Sequence, residues 1–221
     1  MHQIHLQIQI LTRIQMIPNN VFTIDNTYSG SYFEERGVSK EIFKKFNLGT
    51  VTALPEGFKS SPISQYFIGA PAFPVYDMSG IFLGWGFRPG HEDFKYYYFN
   101  VSTSKTLYGL PFATDAIRKS NSVTVVEGFF DVLLAHSAGI ENAVGVFSNQ
   151  LSKSQILMLS SLTNNFKLAL DIDNAGLTGM QNSRDLINKL VPDANVEDFL
   201  VYPHHDFCDF AQDRIKNAIQ E

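Results

Sequence analysis

The chain has 221 residues, of which 44% are hydrophobic, and a formal net charge of −5 at pH 7. This size suits one large or two small globular domains. The negative net charge argues against a protein that binds nucleic acid mainly by overall electrostatic attraction. A single cysteine, Cys208, excludes an internal disulfide framework and favours a reducing environment. No apolar run approaches the ~20 residues of a membrane span, and the first residues do not resemble a leader, so we expect neither membrane insertion nor export.

The first 119 residues predict short strands separated by turns. In residues 1–27, apolar side chains at every second position indicate a half-buried strand; they are Ile4, Leu6, Ile8 and Ile10. Residues 28–119 are rich in Gly, Pro and aromatic residues, and residues 77–80 ("DMSG") predict a hairpin turn. One clear helix is predicted here, with Ser39 as its N-cap and Gly49 just past its end.

The pattern changes from residue 120 onward. Four strand-like runs lie at residues 122–128, 142–147, 166–173 and 196–203. Each is followed by a segment of helical period, and these segments start near Phe129, Ser152, Ala175 and Asp206. Four successive βα units predict a parallel sheet covered by helices. The fold class is therefore α/β, with an N-terminal strand region (1–27), a mixed α+β subdomain (28–119) and a parallel-sheet domain (120–221).

Acidic residues recur where three of these four strands end. Residues 30–120 contain ten Lys and Arg against eight Asp and Glu, whereas residues 121–221 contain six against thirteen. The carboxylates at the predicted strand ends are Glu127, Asp131, Asp171, Asp173, Asp206 and Asp209. Ligand sites of such sheets lie at the carboxyl ends of the strands. If only the acidic surplus is considered, a solvated acidic surface would explain it. If Asp131 or the "DIDNAG" segment is considered by itself, helix capping would explain it.

The residue types indicate which cation such a site would hold. The loop at residues 171–182 fails as an EF-hand, because Ala175 and Asn182 occupy ligand positions. Zinc is disfavoured because the adjacent His204 and His205 diverge and no second ligand pair follows. Carboxylates without His or Cys suit Mg²⁺ or Mn²⁺ and the phosphoryl-transfer chemistry that these ions support. Glu127 is in addition a candidate for proton transfer.

Several motifs together resemble a known family. The "EGFFD" of residues 127–131 and the "DIDNAG" of residues 171–176 are similar to the TOPRIM domain of DnaG-type primases, topoisomerases and some nucleases. Upstream, residues 31–51, 73–90 and 105–113 ("KTLYGLPFA") resemble successive elements of the DnaG-type primase core. The resemblance covers most of residues 28–210, and its elements occur in the family's order.

The resemblance implies roles for particular residues. By this resemblance, the residues that contact the template and the nucleotide are Arg36, Arg88, Lys95, Asn100, Lys105 and Tyr108. The catalytic residues implied by the resemblance are Glu127, Asp171 and Asp173. The implied metal ligands are these three residues together with Asp131, Asp206 and Asp209. The family's last acidic motif reads Asp-x-Asp, whereas Cys208 occupies its third place here, so the last ligand is either Asp206 or Asp209. The family's Gly-Thr-x-Leu-Thr loop is replaced by "SNQLS", which changes the nucleotide contacts expected at Ser148 and Asn149.

The resemblance also implies the activity. We expect a DNA primase catalytic core, a metal-dependent nucleotidyltransferase that makes short RNA primers from ribonucleoside triphosphates on a single-stranded DNA template. The alternatives are a TOPRIM nuclease or topoisomerase-like strand cutter, and a non-catalytic, primase-derived nucleic-acid-binding module. The sequence shows no zinc ribbon, so we expect a compact, phage-like form that acts in the cytoplasm of a bacterium or an infected host, with a replicative helicase or a separate zinc-ribbon protein as partner.

Overall fold

The computed structural model describes residues 22–59, 63–90, 95–199 and 207–220, with side chains in the last helix as far as residue 217. The strand predicted at Ile4–Ile10 lies outside the described residues, and so does Asp206. The chain divides into two compact units, Met1–Val101 and Ser102–Glu221. No helix in the described part of the chain is long and apolar enough to cross a membrane.

The first unit contains a five-stranded antiparallel sheet whose strand order follows the chain order. Its strands are β1 (Thr23–Asp25), β2 (Gly49–Ala53), β3 (Pro71–Tyr76), β4 (Phe82–Phe87) and β5 (Tyr97–Phe99). Its helices are α1 (Tyr32–Glu35), α2 (Lys40–Lys45) and α3 (Glu56–Lys59), with a 3-10 turn at Ser64–Tyr66. A buried hydrophobic cluster contains Phe67 together with Trp85 and Phe87 of β4.

Local signals account for the connections of this unit. Ser39 caps α2 as predicted, because its Oγ accepts a hydrogen bond from the Ile42 N–H at 3.3 Å. The predicted hairpin between β3 and β4 is also present. There Asp77 Oδ1 accepts hydrogen bonds from the N–H groups of Ser79 (2.8 Å) and Ile81 (2.9 Å). The short polar side chain of Asp77 thus replaces the missing backbone partners of the turn.

The second unit contains a four-stranded parallel sheet with the strand order β7-β6-β8-β9. Its strands are β6 (Val123–Val126), β7 (Ala143–Gly145), β8 (Asn165–Leu168) and β9 (Asn195–Asp198). Its helices are α4 (Leu110–Ser120), α5 (Phe129–Ser137), α6 (Lys153–Ser160), α7 (Asn174–Leu190) and α8 (Phe207–Gln220). The predicted α/β class, a mixed first part followed by a parallel sheet, is confirmed.

The core of the second unit shows why the chain divides where it does. Leu107, Leu110 and Ile117 are at most 1% exposed and belong to the same apolar cluster as Val125 of β6. Helix α4 therefore packs with the parallel sheet. The predicted boundary between residues 119 and 120 falls inside the second unit rather than before it.

One strand is shorter than its sequence suggested. The sequence predicts that the strand at residues 166–173 reaches Asp171 and Asp173, but β8 ends at Leu168. The Asp171 N–H bonds the side chain of Glu127 instead of a neighbouring backbone, and Asp173 caps α7. Both aspartates thus lie in the βα connection, where strand alternation does not govern their directions.

Candidate active site

Glu127 and Asp171 meet at the carboxyl edge of the parallel sheet. Glu127 directly follows β6, Asp171 follows β8, and these strands are parallel neighbours with Val125 opposite Leu168. The Asp171 N–H donates a hydrogen bond of 3.2 Å to Glu127 Oε1. Both residues are half-buried. The strand order therefore brings together two carboxylates that are 44 residues apart in the chain.

Asp173 has a structural role in addition to its predicted catalytic one. Its Oδ1 accepts a hydrogen bond of 2.7 Å from the Gly176 N–H, which makes it the N-cap of α7. The side chain is exposed. A Cβ atom on Gly176 would overlap the Asp171 carbonyl oxygen, so only glycine allows α7 to begin this close to Asp171.

Two hydrogen-bond donors hold the carboxylate of Asp131. It lies at the third position of α5, is 9% exposed, and its Oδ2 accepts a hydrogen bond of 2.8 Å from the Gly128 N–H. Its Oδ1 accepts a hydrogen bond of 2.9 Å from the Cys208 thiol. This geometry supports the capping interpretation of Asp131 that the sequence left open. Sequence reasoning did not find the contribution of Cys208, because its partner is 77 residues away.

The remaining predicted ligand on a described residue is Asp209. It is exposed in the first turn of α8, where its charge complements the helix dipole. Asp206, the other candidate for the last ligand, lies outside the described residues.

The carboxylate edge fits a hard divalent cation in donor chemistry. Glu127 and Asp171 offer carboxylate oxygens at adjoining strand ends, which is the ligand type that Mg²⁺ and Mn²⁺ prefer. Among residues 22–59, 63–90, 95–199 and 207–220, no three or more His, Cys, Asp or Glu side chains group closely enough to hold a metal. The complete ligand set therefore remains a prediction.

The loop after β7 is fastened to α7. Asn149 Nδ2 donates a hydrogen bond of 3.1 Å to the Ala175 carbonyl, and the Leu151 N–H donates one of 2.9 Å to Ser183 Oγ. Gly179 lies so close to the Asn149 carbonyl that a Cβ atom would overlap it. Ser148 is exposed. The "SNQLS" loop thus adjoins the helix that Asp173 caps, although the sequence predicted no contact between them.

Lys105 lies on a turn that α6 holds in place. The turn is the short 3-10 helix Thr103–Lys105, and Lys105 is exposed. Gln155 Nε2 donates hydrogen bonds to the carbonyls of Thr103 (3.0 Å) and Thr106 (2.8 Å). Gln155 is 1% exposed and also completes the capping box with Ser152 at the start of α6. The Ser-x-x-Gln spacing signals this box in the sequence, but not the contact with the Lys105 turn.

Tyr108 belongs to the core. It is 1% exposed, and its backbone forms two hydrogen bonds with Gly145, of 2.9 and 3.0 Å. Its ring packs edge-on against Phe129, with 4.5 Å between the ring centroids. This burial gives Tyr108 a packing role, so we do not retain it among the proposed nucleotide contacts.

The other predicted contacts lie in the first unit. Arg36 caps the end of α1, with its guanidinium carbon 6.0 Å from the centroid of the Tyr32 ring. Asn100 is exposed just after β5 with a φ of 56°. Arg88 and Lys95 are brought together, because both charged groups lie near the ring of Tyr96.

Comparison with known proteins connects this arrangement to a family. The Toprim-like family matches residues 124–211, which contain the strands and helices from β6 into α8. The DNA primase of Lactococcus lactis is 28% identical over 190 residues, covering 72% of this chain and 29% of that protein. A crystal structure of the Aquifex aeolicus primase, with its zinc-binding and RNA polymerase domains, is 26% identical with a TM-score of 0.70. It covers 86% of this chain and 53% of that chain.

The chain is related to the catalytic core of DnaG-type primases and carries a TOPRIM domain. The resemblance read from the sequence is thereby confirmed. A structure of a DnaG primase catalytic domain bound to ssDNA has the same fold, with a TM-score of 0.68 over 86% of this chain and 24% identity. The chain spans less than a third of the length of the Lactococcus lactis primase.

Proposed function

We propose that this chain is a DNA primase catalytic core that joins ribonucleotides on a single-stranded DNA template. The observation that carries the proposal is the extent of the similarity to the Aquifex aeolicus primase structure, which covers 86% of this chain. It extends well beyond the Toprim-like residues 124–211, which topoisomerases and nucleases would also share. The carboxylate pair Glu127 and Asp171 supplies the matching chemistry at the sheet edge.

In the proposed reaction, the 3′ hydroxyl of the growing primer attacks the α-phosphate of the incoming nucleotide. A new bond forms between the 3′ oxygen and the α-phosphorus. The bond between the α-phosphorus and the oxygen that bridges to the β-phosphate breaks, and pyrophosphate leaves. Glu127 and Asp171, together with Asp173 and either Asp206 or Asp209, would hold the divalent cation, Mg²⁺ or Mn²⁺. When bound, this cation neutralises phosphate charge and aligns the reacting oxygens.

The protein's own residues orient the reactants. The Asp171 N–H fixes the Glu127 carboxylate at the end of β6, where we infer that Glu127 accepts the proton of the attacking hydroxyl. Arg36, Arg88, Lys95, Asn100 and Lys105 would contact template and nucleotide phosphates. The partners would be ribonucleoside triphosphates, single-stranded DNA and a replicative helicase or a separate zinc-ribbon protein, in the cytoplasm.

Incorporation of labelled ribonucleotides on mixed single-stranded templates tests the proposal. The purified chain should extend primers when Mg²⁺ or Mn²⁺ is supplied and lose this activity with EDTA. Glu127→Gln and Asp171→Asn each remove one charge with little change in shape and should abolish incorporation, whereas Asp193→Asn, at an exposed position, should not. Full activity in both site variants would refute the carboxylate assignment, and strand cleavage without incorporation would favour a nuclease.

Lys105→Ala tests the basic contacts in the second unit. Because Lys105 is exposed on a fixed turn, its loss should weaken binding of single-stranded DNA without unfolding the chain. Each lost phosphate contact should reduce, by about 0.7, the steepness with which the logarithm of the binding constant falls with the logarithm of salt concentration. An unchanged slope would show that the DNA strand does not contact Lys105. Lys119→Ala, an exposed cation at the end of α4, is the matched control.

A further inference from the structure

The ring of Tyr96 lies beside two cations. The guanidinium carbon of Arg88 is 5.5 Å from the ring centroid, and Lys95 Nζ is 5.9 Å from it. Arg88 Nη1 also donates a hydrogen bond of 3.2 Å to the Tyr96 hydroxyl oxygen. One side chain therefore contacts Arg88 through both its ring and its hydroxyl, and Lys95 through its ring.

The sheet register produces this arrangement. Strands β4 and β5 are antiparallel, and their last registered pair is Phe87 opposite Tyr97. Arg88 follows β4 and Tyr96 precedes β5, so they are the next residues facing each other across the two strands. The Arg88 N–H is also fixed, because it donates a hydrogen bond of 3.0 Å to the Pro71 carbonyl. The backbones of both partners are thus positioned before the side chains meet.

Tyr96 is anchored on its inner side. Its ring packs edge-on against Phe73 of β3, with 6.1 Å between centroids and an interplanar angle of 75°. Phe73 is completely buried, whereas Tyr96 is half-buried. An aromatic residue with one side in the core and cations near it can hold those cations at the protein surface.

Electrostatics explains why two cations gather here. Arg88 and Lys95 repel each other, and the negative face of an aromatic ring attracts each of them within about 6 Å. The hydrogen bond from Nη1 also fixes the plane of the guanidinium group, which binds phosphate best in a fixed orientation. Two cations held at one ring can bind neighbouring phosphates of a nucleic-acid strand.

We propose that Tyr96 is a positioning residue that presents Arg88 and Lys95 as one phosphate-binding pair to the single-stranded template. This inference rests on the proposed function and assigns the two cations a common support. The same chemistry could bind the phosphates of a free nucleotide, so the experiment needs one arm for each source.

The test measures binding of a labelled single-stranded oligonucleotide to the full chain by fluorescence anisotropy across a salt titration. Tyr96→Leu removes ring and hydroxyl and should weaken binding about tenfold, with a slope lower by about 0.7 to 1.4, since one or two phosphate contacts are lost. Tyr96→Phe keeps the ring and should weaken binding about threefold or less. Lys59→Ala is the matched control, because Lys59 lies in the same unit and pairs with Glu56 at 2.6 Å.

A double-mutant cycle separates positioning from direct contact. If Tyr96 acts through Arg88 as well as Lys95, Tyr96→Leu combined with Arg88→Gln should weaken binding by clearly less than the product of the two single losses. Multiplicative losses would refute the positioning role. If Tyr96→Leu fails to fold by circular dichroism, Tyr96→Phe in the same cycle and the pair Arg88→Gln with Lys95→Ala replace it. A cooperative pair requires the combined loss to be smaller than the product of the single losses.

Parallel measurements distinguish this inference from the proposed function. Nucleotide binding measured with a labelled ribonucleoside triphosphate should be unchanged by Tyr96→Leu, and a selective loss there would assign the pair to the nucleotide instead of the template. A chain that binds DNA through this pair but incorporates no nucleotide would refute the proposed function alone. A chain whose DNA binding and primer synthesis survive Tyr96→Leu would refute the inference alone.

Discussion

The thiol of Cys208 donates a hydrogen bond of 2.9 Å to Oδ1 of Asp131, and this bond joins the first turns of α5 and α8. The second carboxylate oxygen of Asp131 accepts the Gly128 N–H at 2.8 Å. A carboxylate that both caps its own helix and ties down a neighbouring helix has a structural role whether or not it also binds a cation. In the family's Asp-x-Asp motif, the position of Cys208 carries an aspartate.

Replacing Cys208 by aspartate should make stability depend on a divalent cation. The new carboxylate would face Asp131, and like charges at this separation repel. We expect Cys208→Asp to lower the free energy of unfolding in EDTA by about 1–3 kcal/mol and to regain stability as Mg²⁺ is added. Urea denaturation with and without Mg²⁺ measures both effects. Cys208→Ser retains a donor and should show neither, so Mg²⁺-independent loss in Cys208→Asp would contradict the prediction.

Asp173 allows charge and capping to be separated. Asparagine caps helices about as well as aspartate, so Asp173→Asn should preserve the unfolding free energy within about 0.5 kcal/mol while abolishing nucleotide incorporation. Asp173→Ala should lose incorporation and, in addition, about 1 kcal/mol of stability, because the Gly176 N–H loses its acceptor. Denaturation and incorporation assays on both variants check this. Equal stability of the two variants would show that the cap contributes nothing.

Gly176→Ala tests the close approach between α7 and Asp171. Alanine is the better helix former by about 1 kcal/mol, yet its Cβ would overlap the Asp171 carbonyl oxygen. We expect a net destabilisation of about 1–3 kcal/mol and lower activity, because the displaced Asp171 loses its hydrogen bond to Glu127. Gly57→Ala in α3 is the control, since a Cβ there meets open space and should stabilise by about 0.5–1 kcal/mol. Similar effects in both variants would contradict this explanation.

The buried phenol of Tyr76 and the half-buried phenol of Tyr98 should make the fold sensitive to alkali. Burial raises the pKa of Tyr76 to about 12, against a smaller lowering by its hydrogen bond from Asn47, and burial raises the pKa of Tyr98 to about 12. The unfolded chain ionises these phenols near pH 10, so the stability they contribute is complete below pH 10 and is lost as the pH rises to about 12. For Tyr76 the loss should be on the order of 2 kcal/mol.

Urea denaturation between pH 8 and pH 12 measures this dependence. Tyr76→Phe removes the ionisable group together with the 3.1 Å hydrogen bond from Asn47, so it should lower stability slightly at pH 8 and flatten the decline above pH 10. Parallel curves for the two proteins would show that Tyr76 does not titrate differently in the folded state.

Local patterns in the sequence determined the elements of the second unit. The Val-rich run before Glu127, the Gly128 turn and the apolar helix after it predict one βα unit, and their repetition predicts a parallel sheet. Caps such as Ser39 were predictable for the same reason, since a cap and the N–H group it accepts from are three residues apart. The resemblance to DnaG-type primases also needed only short motifs in the right order.

Only the tertiary structure decided which distant residues meet. Glu127 reaches Asp171 because β6 and β8 are neighbours in the order β7-β6-β8-β9, and nothing local in either segment specifies that order. The same holds for Cys208 with Asp131, and for the burial of Tyr108 against Phe129. Propensities and caps act over a few residues, whereas these contacts depend on which surfaces pack when the whole chain excludes water from its core.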